Sequence, residues 1–242
     1  MQMTPYSPSS LLLFRNCPRQ YKVNYIEKRK RKSSPQMERG SLVHRWIQEY
    51  VVQGKKPGYS VEDFDEKKQD RLTQFLFPLA PHLFVSSEWK VGLDREKKFI
   101  DFDSPLCYLR GVIDFIAGDK ERKQGILIDW KTGKSVAEVF QIEVYSWILY
   151  CLLPSFSFSF FFFYVDRKRG EDVKEIVVRK PEEIGQDIEE ISQGIEKETE
   201  WKGKTSFRCA FCELKEECEE YKSKGENKLS SLVTRGFCLA GI

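Results

Sequence analysis

The stretch GVIDFIAGDKERKQGILIDWKTG, residues 111–133, contains two apolar runs that are joined by a charged turn. The first run holds Asp114, the second holds Asp129, and Lys131 follows Asp129 with one residue between. Because side chains alternate along a strand with period two, Asp129 and Lys131 are predicted to lie on one face. Two carboxylates on neighbouring strands can bind one hard divalent cation. The pattern therefore predicts a metal site with a fixed positive charge beside it.

A purely structural interpretation of these acids stays open, since acids at the ends of apolar strands also occur without an ion. Against it, Asp114 and Asp129 each lie within a strongly apolar run, where an unpaired carboxylate is costly. A bound cation would remove that cost. Glu96 on the preceding predicted strand is a further candidate acid, although its basic neighbours equally predict a surface ion pair.

Hydrophobic periodicity predicts an α/β or α+β domain with a mixed central sheet. Helices are expected over residues 7–26, 40–54, 66–85, 135–152 and 182–200, and strands over residues 93–102, 108–118, 125–133, 156–166 and 173–179. We expect one domain over residues 1–221, with a helical part at 1–90, a catalytic core at 91–200, a cysteine-rich segment at 201–221 and a tail at 222–242.

Composition is that of a globular protein that can bury a core: 242 residues, 40% hydrophobic and 32% charged, with a net charge of +3. Basic residues concentrate near the start, where residues 1–45 hold ten Lys/Arg and two Asp/Glu. The run KRKRK at 28–32 fits either a solvated loop or a phosphate-contacting surface. The apolar runs at 11–14 and 154–165 are too short for a signal core or a membrane span. We therefore expect a cytoplasmic protein without a membrane partner.

Seven cysteines without a secretory signal argue against a disulfide framework. Cys107 and Cys151 fall in apolar runs and are predicted to be core residues. Four others stand out: Cys17, Cys209, Cys212 and Cys218. Four thiolates can hold zinc or an iron–sulfur cluster. A single C-x2-C pair with two lone cysteines favours the cluster, which would link the N- and C-terminal segments, although an incidental grouping stays open.

Six segments, taken in chain order, resemble a known nuclease family: SPSSLLLFRNCPRQY (7–21), GSLVH (40–44), GVIDF (111–115), LIDWKTGK (127–134), QIEVY (141–145) and CAFCELKEEC (209–218). The first five resemble the nuclease module of the RecB-like branch of the PD-(D/E)XK superfamily. The last, together with Cys17, resembles its iron–sulfur subgroup. That subgroup includes the AddB nuclease domain and the CRISPR-associated RecB-like exonucleases.

The resemblance implies a restriction-endonuclease-like core and a role for residues that the pattern alone leaves undecided. His44, which by itself is more typical of a structural histidine, corresponds to the family's metal-binding histidine. Asp114 corresponds to the acid of the "PD" element, although Ile113 stands where the motif has proline. Asp129 and Lys131 correspond to the (D/E)-x-K pair.

Further roles are implied by the same resemblance. Trp130 would offer its backbone carbonyl to the metal, and Gln141 with Tyr145 would form the Q-x3-Y motif that helps to bind DNA and to complete the site. The four ligands of a [4Fe-4S] cluster would be Cys17, Cys209, Cys212 and Cys218. The resemblance favours this cluster over zinc at the cysteines.

The function implied is a DNA exonuclease that uses Mg²⁺ or Mn²⁺ to hydrolyse phosphodiester bonds in repair, recombination or CRISPR adaptation. Its expected partner is DNA that is single-stranded or has free ends, with a helicase or a CRISPR-adaptation protein as a further partner. The alternative is a DNA-binding scaffold on a nuclease fold that acts within a helicase–nuclease or other complex.

Overall fold

A computed structural model of the protein describes residues 4–29, 34–76, 84–133 and 138–223. Its helices are α1 (Pro8–Asn16), α2 (Pro18–Tyr21), α3 (Pro35–Gln53), α4 (Glu66–Leu76), α5 (Val139–Leu152), α6 (Pro181–Lys197) and α7 (Glu219–Ser223). Its strands are β1 (Phe84–Leu93), β2 (Phe99–Ile100), β3 (Leu109–Asp119), β4 (Gln124–Lys131), β5 (Ser157–Tyr164) and β6 (Val173–Ile176). A π-helical turn, Lys22–Ile26, follows α2, and two 3₁₀ turns cover Phe207–Phe211 and Lys215–Glu217.

The strands form one mixed sheet in the order β2-β1-β3-β4-β5-β6, which confirms the predicted mixed sheet. Neighbouring strands are antiparallel except β4 and β5, which run parallel. Parallel neighbours need a crossover connection, and α5 lies in the segment that joins them. The two acid-bearing strands β3 and β4 are therefore adjacent in the middle of the sheet.

The chain divides into two compact units. The first lies within residues 1–8 and 32–186 and contains the sheet. The second lies within residues 9–31 and 187–242 and contains the π-helical turn and both 3₁₀ turns. No helix in the described segments is long and apolar enough to cross a membrane.

Helices α3 and α4 bury an apolar face in one hydrophobic core cluster of the first unit. From α3 come Val43, Trp46 and Ile47, which pack in one cluster with strand residues such as Phe115 and Trp130. Burying side chains of this size contributes about 1.5–3 kcal/mol each. The packing holds α3 in place against the centre of the sheet, and so determines where the neighbouring His44 points.

Several element boundaries differ from the sequence prediction. The helix predicted over 7–26 divides into α1, α2 and the π-helical turn, and the strand predicted over 173–179 ends at Ile176. Helix α3 begins at Pro35, five residues before the predicted start, because the Ser34 hydroxyl accepts a hydrogen bond from the Met37 amide (3.2 Å) and Pro35 suits the first helical turn. The predicted helix at 66–85 ends at Leu76; residues 77–83 lie outside the description, and Phe84 already begins β1.

The predicted strand at 93–102 is mostly a turn. Lys97 has a left-handed φ of 65°, and the amide of Asp94 donates to the carbonyl oxygen of Lys98 (3.0 Å). Only Phe99–Ile100 pairs as a strand. Part of the predicted helix at 135–152, residues 135–137, lies outside the described residues, as does the predicted tail beyond Ser223.

Candidate functional site

Asp114 on β3 and Asp129 on β4 lie on adjacent strands, and a hydrogen bond ties the two strands together at this point. The backbone amide of Trp130 donates to Oδ2 of Asp114 over 2.9 Å. The side chain of Asp114 is 14% exposed and that of Asp129 is 3% exposed. The structure therefore gathers two nearly buried carboxylates at the place that the sequence pattern predicts.

Lys131 lies beside Asp129, as the period-two argument predicts. Its Nζ is 2.5 Å from Oδ2 of Asp129 and donates to Oε1 of Gln141 over 3.1 Å. The same ammonium lies 5.0 Å from the centroid of the Phe162 ring. These contacts hold a fixed positive charge next to the carboxylates.

His44 on α3 approaches the first acid from outside the sheet. Its Nδ1 lies 3.6 Å from Oδ1 of Asp114 and 3.6 Å from Oε1 of Glu88. One ligand atom from each of these three residues lies within 4.8 Å of the others, a spacing that a single metal ion could occupy. The structure thus brings the predicted ligand His44 to the predicted ligand Asp114.

Glu88 is the acid that the sequence analysis missed. In the antiparallel register Ser87 pairs with Phe115 and Trp89 with Ile113, so Glu88 falls opposite Asp114. Its φ of 53° is left-handed, which costs a non-glycine residue about 1–2 kcal/mol. Backbone strain of this kind concentrates at functional sites, and here it coincides with a carboxylate that faces the candidate metal ligands.

The other candidate, Glu96, is not part of this cluster. It lies in the turn between β1 and β2, where its carboxylate pairs with Lys98 Nζ at 2.5 Å and is 71% exposed. The surface ion pair considered for it in the sequence is therefore correct, and Glu88 takes the place of the additional acid. In FVSSEWKVGL (84–93) only Trp89, Val91 and Leu93 alternate cleanly, which is too short a signal to predict the strand that carries Glu88.

Gln141 and Tyr145 lie one turn apart on α5 and connect the lysine to β3. Gln141 Nε2 is 3.5 Å from the Tyr145 hydroxyl, which donates to the main-chain oxygen of Val112 over 2.8 Å. A Cβ at Gly111 would lie 2.6 Å from the Tyr145 ring, so only glycine leaves room for it. The two residues of the predicted Q-x3-Y motif thus position Lys131 against the sheet.

Burial and mutual repulsion shift the titration of these acids. Desolvation, followed by the charge of Asp129, raises the pKa of Asp114 to about 7. Desolvation also raises the pKa of Asp129, while Lys131 opposes this shift. Burial lowers the pKa of His44, but its contact with Glu88 and the charge of Asp114 outweigh burial, so the net shift is upward. A site that accumulates negative charge at this cost is suited to a cation.

The donor set fits a hard divalent ion. It offers carboxylate oxygens and one imidazole nitrogen, the ligands that Mg²⁺ and Mn²⁺ accept. Trp130, the fourth predicted ligand, buries its side chain in the core, and its role through the backbone carbonyl stays a prediction. A cleft of about 850 Å³ opens beside His44 and Glu88. Its other lining residues include Gln36, Ser41, Arg45, Gln48 and Lys90.

Residues 5–219 match the PD-(D/E)XK nuclease superfamily. The chain belongs to this superfamily. The superfamily is named after two acids and a lysine. In this chain two acids and a lysine lie on the paired strands β3 and β4: Asp114, Asp129 and Lys131.

Two solved structures that match this PD-(D/E)XK protein share little sequence with it. The crystal structure of "Putative exonuclease" from Eubacterium rectale has a TM-score of 0.53 and 13% identity, over 90% of this chain and 87% of that chain. The crystal structure of SSO0001 has a TM-score of 0.41 and 14% identity, over 90% of this chain and 86% of that chain. No curated protein matches the sequence.

The second unit brings together the four predicted cluster cysteines. Cys17, Cys209, Cys212 and Cys218 all line one small cavity of about 60 Å³. Basic side chains also line it: Arg19, Lys204, Arg208 and Lys215. The four cysteines are free of disulfides. The two other described cysteines, Cys107 and Cys151, lie in the first unit. Cys107 is buried, as predicted for a core residue, whereas Cys151 is only partly buried.

Polar groups already contact the sulfurs of these cysteines. The side-chain amide of Gln20 donates to Cys212 Sγ over 2.9 Å, and the backbone amide of Ser206 donates to Cys209 Sγ over 3.3 Å. Cys218 Sγ donates to the Glu220 carboxylate over 3.4 Å. Hydrogen bonds from amides stabilise thiolate sulfur, so the pocket is suited to cysteines that act as ligands.

Proposed function

We propose that this protein is a Mg²⁺- or Mn²⁺-dependent DNA exonuclease of the RecB-like, iron–sulfur type. The observation that supports this proposal most strongly is the contact chain from His44 through Asp114 to the Trp130 amide, with Asp129 and Lys131 next along β4. In this proposal His44, Asp114 and Asp129 hold the metal, with the Trp130 carbonyl as a further ligand.

A metal held by His44, Asp114 and Asp129 would supply Lewis-acid chemistry at the scissile phosphate and would favour deprotonation of a water. Lys131 contributes the positive charge that offsets negative charge developing on the phosphate and orients the attacking water. Gln141 holds the ammonium through its 3.1 Å hydrogen bond, and Tyr145 anchors Gln141. Glu88 adds a carboxylate that faces His44 and Asp114.

The DNA approaches through the cleft beside His44 in this proposal. Arg45 and Lys90 line the cleft and provide positive charge for phosphates, while Gln36, Ser41 and Gln48 provide uncharged hydrogen-bonding groups. The cleft is thus lined by uncharged polar groups and basic groups, and it lies next to the carboxylates. This lining is consistent with a DNA strand that brings one phosphate to the metal ligands.

The cysteines of the second unit hold a [4Fe-4S] cluster in this proposal. All four cysteines line one small cavity, and amides donate to the sulfurs of Cys209 and Cys212. Hydrogen bonds to sulfur also tune iron–sulfur clusters, and the family resemblance favours such a cluster over zinc. The reducing cytoplasm, the compartment that the sequence predicts, would keep the cysteines free.

The exonuclease claim is tested with a linear DNA and a closed circular single strand of the same sequence, with Mg²⁺ or Mn²⁺ present. An exonuclease degrades the linear molecule and spares the circle. Cleavage of both at similar rates would make the protein an endonuclease. If folded protein cleaves neither, the DNA-binding scaffold within a larger complex becomes the better hypothesis.

A further inference from the structure

Asp166, which follows the end of β5 by two residues, joins separate elements of the first unit. Its carboxylate accepts two hydrogen bonds from Arg39 of α3 (2.7 and 3.0 Å), one from Lys68 of α4 (3.1 Å) and one from the amide of Gly133 just past β4 (2.6 Å). The Asp166 side chain is 21% exposed and that of Arg39 is 16% exposed. A partly buried carboxylate with these donors holds α3, α4 and the end of β4 in a fixed relation.

Two of the elements that Asp166 joins carry residues of the candidate site. Gly133 lies two residues after Lys131, and Arg39 lies five residues before His44. The hydrogen bonds of one carboxylate therefore connect the strand end that carries the lysine with the helix that carries a candidate metal ligand.

The segment after Lys131 depends on contacts from the end of β5. The main-chain oxygen of Lys131 accepts a hydrogen bond from the amide of Val165 (3.0 Å), which is the last backbone contact of this kind before the chain turns. Gly133 has a left-handed φ of 75°, so β4 ends here. A Cβ at Gly40 of α3 would lie 3.0 Å from Thr132 Oγ1, which shows how closely the helix approaches this segment. Asp166 thus fixes residues 131–133 at the point where strand pairing stops.

Arg39 is itself held in place, so Asp166 binds a rigid partner. Its Nε donates to the main-chain oxygen of Glu62 (2.7 Å), and its Nη2 donates to that of Asp63 (3.0 Å). Lys68 also donates to the Asp63 oxygen. The guanidinium of Arg39 meets the carboxylate with two hydrogen bonds, a planar geometry that a lysine ammonium cannot reproduce. The contact therefore specifies an orientation as well as a charge pair.

We propose that Asp166 is a positioning residue for the nuclease reaction, which fixes Lys131 relative to His44 through Gly133 and Arg39. It touches neither the DNA nor the metal in this role. A displacement of about 1 Å at a reacting group can cost about 10²-fold in rate. The inference rests on the proposed function, because it names a further residue that the proposed reaction requires. A purely stabilising role is the alternative, and it predicts fewer folded molecules that each cleave at the full rate.

The test is the rate of DNA cleavage per metal-binding molecule in Asp166→Asn. Titration with Mn²⁺ gives the number of sites and their affinity, and single-turnover cleavage at several DNA concentrations separates the maximal rate from the apparent DNA affinity. We expect the maximal rate per Mn²⁺ site to fall by at least about tenfold. The Mn²⁺ affinity and the apparent DNA affinity should stay unchanged, because the metal ligands themselves are intact.

Two further variants keep the test decisive. Asp172→Asn is the matched control: this acid belongs to the same connection between β5 and β6, accepts from the Gly170 amide (3.1 Å) and lies 3.8 Å from Nη1 of Arg71 on α4. It should cleave at the full rate per Mn²⁺ site. Arg39→Lys keeps the positive charge but loses the two-point contact, so it should slow cleavage as Asp166→Asn does, and it carries the test if Asp166→Asn does not fold.

Hydrogen exchange gives a measurement that does not depend on cleavage. The backbone amides of residues 127–133 should exchange faster in Asp166→Asn than in the unmutated protein, and at the unmutated rate in Asp172→Asn. Unchanged exchange in Asp166→Asn would contradict its hold on the strand end.

The outcomes separate this role from the nuclease itself. Full rates per Mn²⁺ site in both Asp166→Asn and Arg39→Lys, beside cleavage by the unmutated protein, would overturn the positioning role and leave the nuclease intact. An equal fall in Asp172→Asn would overturn it as well, since any weakened contact near β5 would then have the same effect. Absence of cleavage by the folded, unmutated protein would refute the nuclease and the positioning role together.

Discussion

Lys131 Nζ lies 2.5 Å from Oδ2 of Asp129, and the two residues are separated by one position on β4. The lysine is held from the other side by Gln141. This pair places a fixed cation beside a buried carboxylate, and it is the arrangement on which the proposed chemistry depends most. Its charge is needed only when negative charge develops on the phosphate, so its removal should affect the rate more than binding.

The variant Lys131→Ala tests this. We expect kcat for DNA cleavage to fall by about 10²–10³, the effect of removing one transition-state charge contact, while Mn²⁺ affinity is kept. Lys56→Ala, which breaks an exposed pair with Asp70, is the control and should cleave normally. Single-turnover cleavage gives the rate, and titration with Mn²⁺ gives the metal affinity. A wild-type rate in Lys131→Ala would remove the lysine from the mechanism.

Glu88 should contribute to metal binding. Glu88→Gln removes one of the three ligand atoms that lie within 4.8 Å of one another, so Mn²⁺ affinity should fall by about tenfold or more. Glu96→Gln is the matched control, because Glu96 is also a glutamate near β1 but forms an exposed pair with Lys98. Calorimetric titration with Mn²⁺ distinguishes them. Equal affinities in the two variants would contradict a role for Glu88 at the metal.

The pH dependence follows from Asp114. Its pKa in the metal-free protein is raised from 3.8 to about 7, so the folded state holds a proton that the unfolded state has lost between these pH values. The stability that this proton contributes is complete below about pH 3.8 and is lost as pH rises through 7. A cation must displace the proton, so Mn²⁺ affinity should rise from pH 6 to pH 8.

Calorimetry in two buffers with different ionisation enthalpies checks this directly. Metal binding near pH 6.5 should release protons, and the release should disappear near pH 8.5. For Asp114→Asn, the metal-free protein should lose less stability between pH 4 and pH 7 than the unmutated protein. His44, whose pKa is also raised, adds to this release. Proton release that does not change with pH would contradict the raised pKa of both residues.

A second acid of the first unit, Asp166, should be important for stability. Its carboxylate accepts hydrogen bonds from Arg39 (2.7 and 3.0 Å), from Lys68 (3.1 Å) and from the amide of Gly133 (2.6 Å). Burial acts to raise its pKa, but these donors outweigh burial and lower it. The Asp166 contribution is therefore present above the unfolded pKa and is lost as pH falls through the lower folded value.

We expect Asp166→Asn to lower the free energy of unfolding by about 2–3 kcal/mol at pH 7, because charge-assisted bonds weaken and one acceptor becomes a donor. Asp70→Asn, at an exposed pair with Lys56, should cost at most about 1 kcal/mol. Chemical denaturation of both variants at pH 7 and pH 4 gives the comparison. Equal costs at pH 7 would show that the Asp166 contacts are not important for stability.

The cysteine proposal predicts a specific spectroscopic loss. Anaerobically purified protein should show broad visible absorbance and contain iron, and Cys209→Ser should lose both. Cys151→Ser, a cysteine of α5 in the first unit, should keep them. Iron-free, colourless protein with bound zinc would favour the zinc alternative. Retention of iron in Cys209→Ser would remove this residue from the ligand set.

The sequence predicts most of what surrounds β3 and β4, because there the period-two pattern and the apolar runs agree with each other. Asp129 and Lys131 are adjacent for that reason, and the Q-x3-Y spacing places Gln141 and Tyr145 on one side of α5 by helical geometry alone. The proximity of His44 to Asp114 could be predicted only through the family resemblance, since it depends on tertiary packing of α3.

Glu88 could not be found in the same way. Its strand follows a segment with two prolines, and Ser86, Ser87 and Gly92 dilute its apolar alternation. The sequence therefore predicts no strand before residue 93, whereas β1 begins at Phe84. A left-handed φ at a glutamate has no sequence signature, because glutamate has no preference for that region.

The most direct test of the central claim is cleavage of end-labelled single- and double-stranded DNA by anaerobically purified protein with Mg²⁺, with Mn²⁺ and with EDTA, beside Asp129→Ala. The account predicts cleavage that requires the metal and is lost in the variant, while DNA binding is retained. Equal cleavage by the variant, or no cleavage by folded protein that carries its cluster, would contradict it.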